Sequence, residues 1–205
     1  MIDSASESLG HFAGEVSHDL LQPLTAILAN AELLTLEPAV AEDAEASRLA
    51  GETLAAGHRL ARLIDTVHAY SRAEVGATLT DVALARVIED IREDLEPVLT
   101  ERDAVIETSD LPHVYADRHQ VTVVLRNLIA DAIQATPLDQ APAVRVTAGR
   151  DRAHWRISVD HDGRAWSLPE GLTTMTLRRV AAAHGGGVGT AGAAVWFTLP
   201  AAEDL

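Results

Sequence analysis

The 205-residue sequence contains no cysteine and no lysine. The absence of cysteine excludes a disulfide scaffold and a thiolate zinc site, and it fits a reducing compartment. No apolar run approaches the roughly 18–20 residues that span a bilayer, and the N-terminus lacks the basic start and apolar stretch of a signal peptide. We therefore expect a soluble, cytoplasmic protein, and the sequence leaves open whether a sensor segment precedes Met1.

Aromatic residues and positive charges are also scarce. Aromatic residues make up 3% of the chain, so aliphatic side chains have to fill the core. Lys and Arg number 16 against 31 Asp and Glu, which gives a formal charge of −15. The electrostatic field of this negative charge repels nucleic acid phosphates and anionic lipids. We therefore expect neither as a partner, and we expect no direct membrane insertion.

The first third of the chain reads as two long helices, over residues 5–36 and 42–73. Apolar residues at spacings of three and four form a stripe on the first helix, namely Phe12, Val16, Leu20, Leu24, Ile27, Ala31 and Leu34. Two antiparallel helices bury such stripes poorly when alone, and the usual solution is a dimeric four-helix bundle. The pattern therefore favours a homodimer.

The remaining sequence mixes helices and strands without strict alternation, which indicates an α+β sandwich. We predict helices over residues 82–99, 117–135 and 172–183, and strands over residues 105–108, 113–115, 144–148, 155–159 and 194–199. Residues 149–151 are predicted as a turn, and the glycines at 185–187 as a helix end. We place the domain boundary near residue 76, between domains of residues 1–75 and 76–205.

His18 is the first candidate for chemistry. A neutral imidazole on a rigid helix can attack phosphorus. Asp19 can orient the ring or accept its proton, and Gln22, one turn later, can position a water or a phosphoryl oxygen. A solvated helical histidine is the alternative that this pattern leaves open.

The residues around His18 resemble a known motif. Residues 12–27, FAGEVSHDLLQPLTAI, resemble the phosphoacceptor box of two-component sensor histidine kinases. The resemblance implies that His18 carries a phosphoryl group, with Asp19 and Gln22 as catalytic residues. It also implies that residues 1–75 form a dimerisation and phosphoacceptor domain whose partner is a response regulator receiver domain.

The second domain resembles the Bergerat-type ATPase domain of the same kinases. Residues 117–133 resemble its N-box, residues 159–163 its first glycine box and residues 171–186 its second box and helix. The resemblance implies ATP and magnesium as cofactors, with Asp131 as the metal ligand. The implied cofactor-binding residues are Asn127, Asp131, His161, Asp162, Gly163 and Gly171.

Several of these positions depart from the family pattern. Asp131 stands where the family has the asparagine that holds magnesium, and His161 stands where it has the aspartate that contacts adenine. Ala165 replaces a box glycine, and the next box lacks its second glycine at Thr173. The loss of these glycines matters because a glycine allows the backbone to approach a phosphate closely.

These observations support three hypotheses. The first is a phosphorelay protein that exchanges a phosphoryl group between His18 and a receiver aspartate, without efficient use of ATP. The second is an active, ATP-dependent sensor histidine kinase core. The third is a pseudokinase scaffold that transfers no phosphate.

Overall fold

A computed structural model describes the backbone of residues 3–161 and 171–201, and the side chains of residues 19–73, 76–161 and 171–201. A helical hairpin comes first in the chain, and an α/β sandwich follows it. Within these described ranges, no helix is long and apolar enough to cross a membrane.

The helical hairpin consists of α1 (Asp3–Leu36), the short α2 (Pro38–Ala41) and α3 (Ala44–Val75). Asp43 starts α3 as its N-cap, because its carboxylate accepts hydrogen bonds from two backbone amides of the first turn. Gly57 lets α1 and α3 approach closely, since a Cβ there would lie 2.6 Å from Leu28 Cδ2 and 3.9 Å from Leu24 Cδ1. The two long helices of the sequence prediction are thus present and pack against each other.

Over residues 76–161 and 171–201, the sandwich contains two sheets and three helices. Its elements are β1 (Thr80–Ala83), α4 (Leu84–Arg102), β2 (Val105–Thr108), β3 (His113–Ala116), α5 (Arg118–Ala135), β4 (Ala143–Asp151), β5 (His154–His161), α6 (Leu172–Ala183), β6 (Val188–Ala191) and β7 (Ala194–Pro200). The larger sheet has the order β2-β4-β5-β7-β6, with β2 parallel to β4 and the other pairs antiparallel. Strands β1 and β3 form a separate antiparallel pair.

The core lies between the larger sheet and the helices. Alternate residues of β5 and β7 are buried on one face, which is the strand periodicity of two. The largest fully buried side chains are Phe197, Leu84, Ile88, Ile91, Leu95, Leu125, Leu128, Ile129, Ile133, Ile157, Leu177 and Leu199. Aliphatic side chains therefore fill the core, as the scarcity of aromatic residues requires, and the α+β class is confirmed.

Two local predictions are wrong, and one strand was not predicted. The helix predicted from Val82 begins at Leu84, because the preceding residues pair with β3 as strand β1. The turn predicted at residues 149–151 continues β4 instead, and the chain turns at Arg152, whose φ is +55°. After the glycines that end α6, the chain forms strand β6, which the sequence analysis does not contain.

Candidate functional site

The predicted phosphoacceptor lies in the first half of α1. The backbone of His18 is helical, and its side chain lies outside the described residues. Asp19 and Gln22 are both exposed. Since residues three positions apart share a helix face, Asp19 and Gln22 belong to one polar face of α1. The catalytic roles of the three residues stay predictions.

Beside this polar face, the helical hairpin leaves large apolar side chains exposed. Leu20 and Ile27 of the predicted stripe are 50% and 54% exposed, whereas Leu24 is buried where α1 meets α3. Among the described side chains of α3, the large apolar ones that are exposed are Leu49, Leu60, Leu63 and Val67. Contiguous exposed apolar side chains mark interaction surfaces, so this face has the character of a protein contact.

Asn127 of α5 is buried against α3 rather than open to solvent. Its side chain is 7% exposed, and its Nδ2 donates a hydrogen bond of 2.8 Å to Thr66 Oγ1. Thr66 Oγ1 donates in turn to the carbonyl oxygen of Arg62 at 2.6 Å. The polar group that the resemblance assigns to nucleotide binding is therefore engaged by the helical hairpin.

Asp131 lies one turn after Asn127, on the same face of α5. Burial raises the pKa of its carboxyl from 3.8 to about 6, while nearby Arg62 and a hydrogen bond with Thr173 act in the opposite direction. Thr173 lies at the start of α6, two residues after Gly171. The fold thus brings Asp131 close to the segment that begins with Gly171.

The residues predicted to contact adenine lie only partly within the described residues. His161 ends β5, is 3% exposed and faces the core, in the alternation set by Ile157 and Val159. Asp160 points to the opposite face, where its carboxylate lies 3.6 Å from Arg145 Nη1. Asp162 and Gly163 lie outside the described residues.

Gly171 precedes α6 as its N-cap residue. Its φ is +152°, a backbone conformation that residues with a Cβ rarely adopt. Gly171 itself is exposed to solvent. The glycine is therefore required by the start of α6, which is a structural role independent of any ligand.

An extended contact between α3 and the sandwich was not predicted from the sequence. Arg126 Nη2 lies 2.7 Å from Asp65 Oδ2, and the Arg179 guanidinium lies 4.0 Å from the centre of the Tyr70 ring. The rings of His68 and His119 are 5.5 Å apart. The spacing of polar and aromatic residues on α3 indicates such a face only weakly. The sequence does not identify the residues of the sandwich that contact it.

A second polar network fixes the connection between the hairpin and the sandwich. Asp117 caps α5 through Gln120 N, and its other carboxylate oxygen accepts from Thr78 N. The backbone amide of Asp117 donates to His184 Nε2 at 2.9 Å, while His184 Nδ1 lies 2.7 Å from the carbonyl oxygen of Val180. Burial lowers the pKa of His184, which suits a neutral ring that accepts at Nε2 and donates at Nδ1.

Two of the residues assigned to ATP and magnesium already have partners within the protein. Asn127 is engaged by Thr66 and Asp131 by Thr173. In the described part of the chain, no group of three or more His, Cys, Asp or Glu side chains is placed to hold a metal ion.

Residues 8–76 match the model of the His Kinase A (phospho-acceptor) domain. The chain is 30% identical over 192 residues to the sensor histidine kinase ZraS of Escherichia coli, with coverage of 90% of this chain and 39% of ZraS. It is also 30% identical over 167 residues to cyanobacterial phytochrome A of Nostoc sp., covering 79% of this chain and 21% of that protein. The chain thus spans less than half the length of both relatives.

Two solved structures share the fold. Full-length ShkA in complex with AMPPNP superimposes with a TM-score of 0.58 at 24% identity, covering 93% of this chain and 45% of that one. Histidine kinase ThkA in complex with the response regulator protein TrrA gives a TM-score of 0.55 at 20% identity, covering 99% and 65%. Both likenesses concern the fold alone, and they confirm the predicted α+β fold class.

Proposed function

Because the chain has the architecture of a two-component sensor histidine kinase core, we propose that it is a phosphorelay protein that carries a phosphoryl group on His18. A neutral ring nitrogen of His18 attacks the aspartyl phosphate of a receiver domain. The new P–N bond forms as the P–O bond to the receiver aspartate breaks, and the aspartate leaves as a carboxylate. The proton on the other ring nitrogen passes to Asp19, and the reverse reaction delivers the group to a second receiver.

One observation favours this proposal over the hypothesis of a kinase that uses ATP efficiently. Asn127, which the resemblance assigns to the nucleotide, is buried and donates its amide hydrogen to Thr66. Leaving a buried donor without its partner lowers stability by about 1–3 kcal/mol. A nucleotide that binds Asn127 therefore has to break the hydrogen bond to Thr66 first. Asp131 adds a negative charge beside the place of the phosphates, which opposes binding further.

We propose that the second domain, residues 76–205, serves as a docking surface for the receiver and not as an efficient ATPase. The departures at Asp131 and His161 support this role, as do the missing glycines. Gln22, exposed beside the acceptor, shapes the site and orients water for dephosphorylation. This division assigns the chemistry to the domain of residues 1–75.

The decisive experiment separates the two phosphodonors. The full chain and its His18→Ala variant are incubated with receiver domains charged from labelled acetyl phosphate, and separately with labelled Mg-ATP. We expect rapid labelling of the wild type by a receiver, little labelling by ATP, and none of the variant. Rapid, His18-dependent labelling by ATP contradicts the relay and supports an active kinase core.

The kinase core is the second candidate because one relative is named a sensor histidine kinase and one structural neighbour holds AMPPNP. If neither donor labels His18, the pseudokinase scaffold remains. Calorimetric titration with Mg-AMPPNP separates the candidates independently of turnover. Submicromolar binding contradicts the relay, whereas absent or millimolar binding contradicts the kinase.

We also propose that the chain acts as a homodimer through the exposed apolar side chains of α1 and α3. Leu20, Ile27 and Leu63 are each about half exposed in the single chain, and burying such side chains contributes roughly 25 cal/mol per Å². Four helices from two chains bury these faces in a bundle. Analytical ultracentrifugation of the full chain tests this proposal, and a monomer at micromolar concentration contradicts it.

A further inference from the structure

Four polar side chains lie where α3 joins the sandwich, and we call His68, Asp117, His119 and His184 the junction cluster. His68 belongs to α3, Asp117 and His119 to the start of α5, and His184 to the end of α6. Asp117 and His184 are 5% and 2% exposed, whereas His68 is half-buried and His119 is exposed. The cluster therefore reaches from the interior of the sandwich to α3.

Asp117 holds the segment that connects α3 to β1. Its Oδ2 accepts a hydrogen bond of 3.1 Å from the Thr78 amide, and its Oδ1 accepts one from the Gln120 amide. The side chain of Gln120 donates in turn to the carbonyl oxygen of Gly76 at 3.5 Å. Both anchors of the connecting segment thus depend on the position of Asp117.

The position of Asp117 depends on a neutral His184. The Asp117 amide donates to His184 Nε2 at 2.9 Å, so the ring carries its one proton on Nδ1, which donates to the carbonyl oxygen of Val180 at 2.7 Å. A second proton, on Nε2, would face the Asp117 amide with no acceptor between the two buried donors. Burial lowers the pKa of His184, and the Val180 carbonyl and the charge of Asp117 offset this only in part. Protonation therefore forces the Asp117 backbone away from the ring.

The contact between His68 and His119 responds to protons in the same direction. Their ring centroids lie 5.5 Å apart across the boundary between α3 and α5. Burial, His119 and Arg72 lower the pKa of His68, while Asp65 and Asp117 act in the opposite direction. A proton thus binds His68 less readily while the two helices are in contact.

We infer that the junction cluster is a proton-sensitive switch, which fastens the sandwich to α3 while His68 and His184 are neutral and loosens when these rings are protonated. Each ring whose pKa is lower in the closed state shifts the equilibrium toward the loosened state by up to about tenfold per pH unit as the pH falls below 6.5. The switch involves no phosphate, so its test is separate from that of the proposed function.

Amide hydrogen exchange, followed by NMR in the full chain, tests the inference. The amides of Thr78 and Asp117 donate to side chains of the cluster, so their protection reports the closed junction. After correction for intrinsic exchange, we expect this protection to fall roughly five- to tenfold between pH 7.5 and pH 5. The amide of Phe197, in a strand paired on both sides, is the internal reference and should keep its protection. Unchanged protection of Thr78 and Asp117, or an equal fall at Phe197, overturns the inference.

Two variants assign the effect to individual rings. His184→Gln has a donor and an acceptor but binds no proton, so Thr78 should be less protected at pH 7.5 and its protection should depend little on pH. His68→Gln should remove a smaller share of the pH dependence, because His68 is less buried. His113→Gln, at an exposed histidine of β3, is the matched control and should keep the wild-type profile. A wild-type profile in both His184→Gln and His68→Gln contradicts the switch.

The imidazole nitrogens of the unmodified chain supply a readout that needs no substitution. In nitrogen NMR spectra at pH 7.5, His184 should carry its proton on Nδ1 and none on Nε2. Its titration in acid should coincide with the loss of protection at Thr78. A proton on Nε2 at pH 7.5, or a titration that leaves the protection of Thr78 unchanged, overturns the inference.

Discussion

Replacement of Asp131 by Asn should change the pH dependence of stability in a defined direction. Burial raises the pKa of Asp131 from 3.8 to about 6, so the folded chain holds this proton more tightly than the unfolded chain. Stability is then lost as pH rises from about 4 through about 6, and the loss levels off above that range. Asn has a similar shape and cannot ionise, so Asp131→Asn removes this loss.

The magnitude follows from the same pKa. At about 1.4 kcal/mol per pH unit, the interval between 3.8 and about 6 sets a ceiling of about 3 kcal/mol. Partial contact of the carboxyl with solvent reduces this to about 1–2 kcal/mol. Relative to wild type, Asp131→Asn should therefore be nearly neutral at pH 4 and more stable by that amount at pH 7.5.

Urea denaturation from pH 4 to 8 measures this difference directly. Effects of other groups on the pH profile cancel in the comparison between variant and wild type. Asp139→Asn, at an exposed position after α5, serves as the control and should change little at any pH. A stability difference that stays constant across the range, or that is largest at pH 4, would refute the assignment of Asp131 as a buried carboxyl.

Three further predictions concern other parts of the molecule. Burial lowers the pKa of His184 below its usual 6.5, so the stability contributed by the neutral ring is fully present above pH 6.5 and is lost as pH falls. His184→Gln should therefore be less stable than wild type at pH 8 and should lose less stability in acid. Urea denaturation measures both effects. Leu63→Glu should shift the chain from dimer to monomer in sedimentation velocity, whereas an unchanged dimer would place the contact elsewhere. Gly186→Ala should lower the stability by about 2 kcal/mol or more, because its Cβ would collide with the carbonyl of Thr198. Gly187→Ala, where the space is open, should unfold near the wild-type temperature in calorimetry.

Local sequence signals account for much of the fold. Asp117, for example, is a residue type favoured at a helix N-cap, and its carboxylate accepts from the backbone amide three residues later. Strands β1 and β6 have only four residues each, too few for a period of two to stand out, and they depend on distant partners. The bond from Asn127 to Thr66 spans 61 positions of the chain. No local pattern encodes such a contact, so the sequence indicates which residues are chemically notable and not which of them meet.

The faces of the two long helices show that dimerisation and docking of the sandwich are compatible. Successive helix residues turn by about 100°, which places Leu63 and Val67 on a side of α3 about 100° from the residues that contact the sandwich. On α1, the face with Asp19 and Gln22 points away from both Leu24 and Leu20. A dimer formed through the apolar faces therefore leaves each sandwich in contact with its own α3. It also leaves the polar face of each α1 open, which is the condition that a receiver domain requires to reach His18.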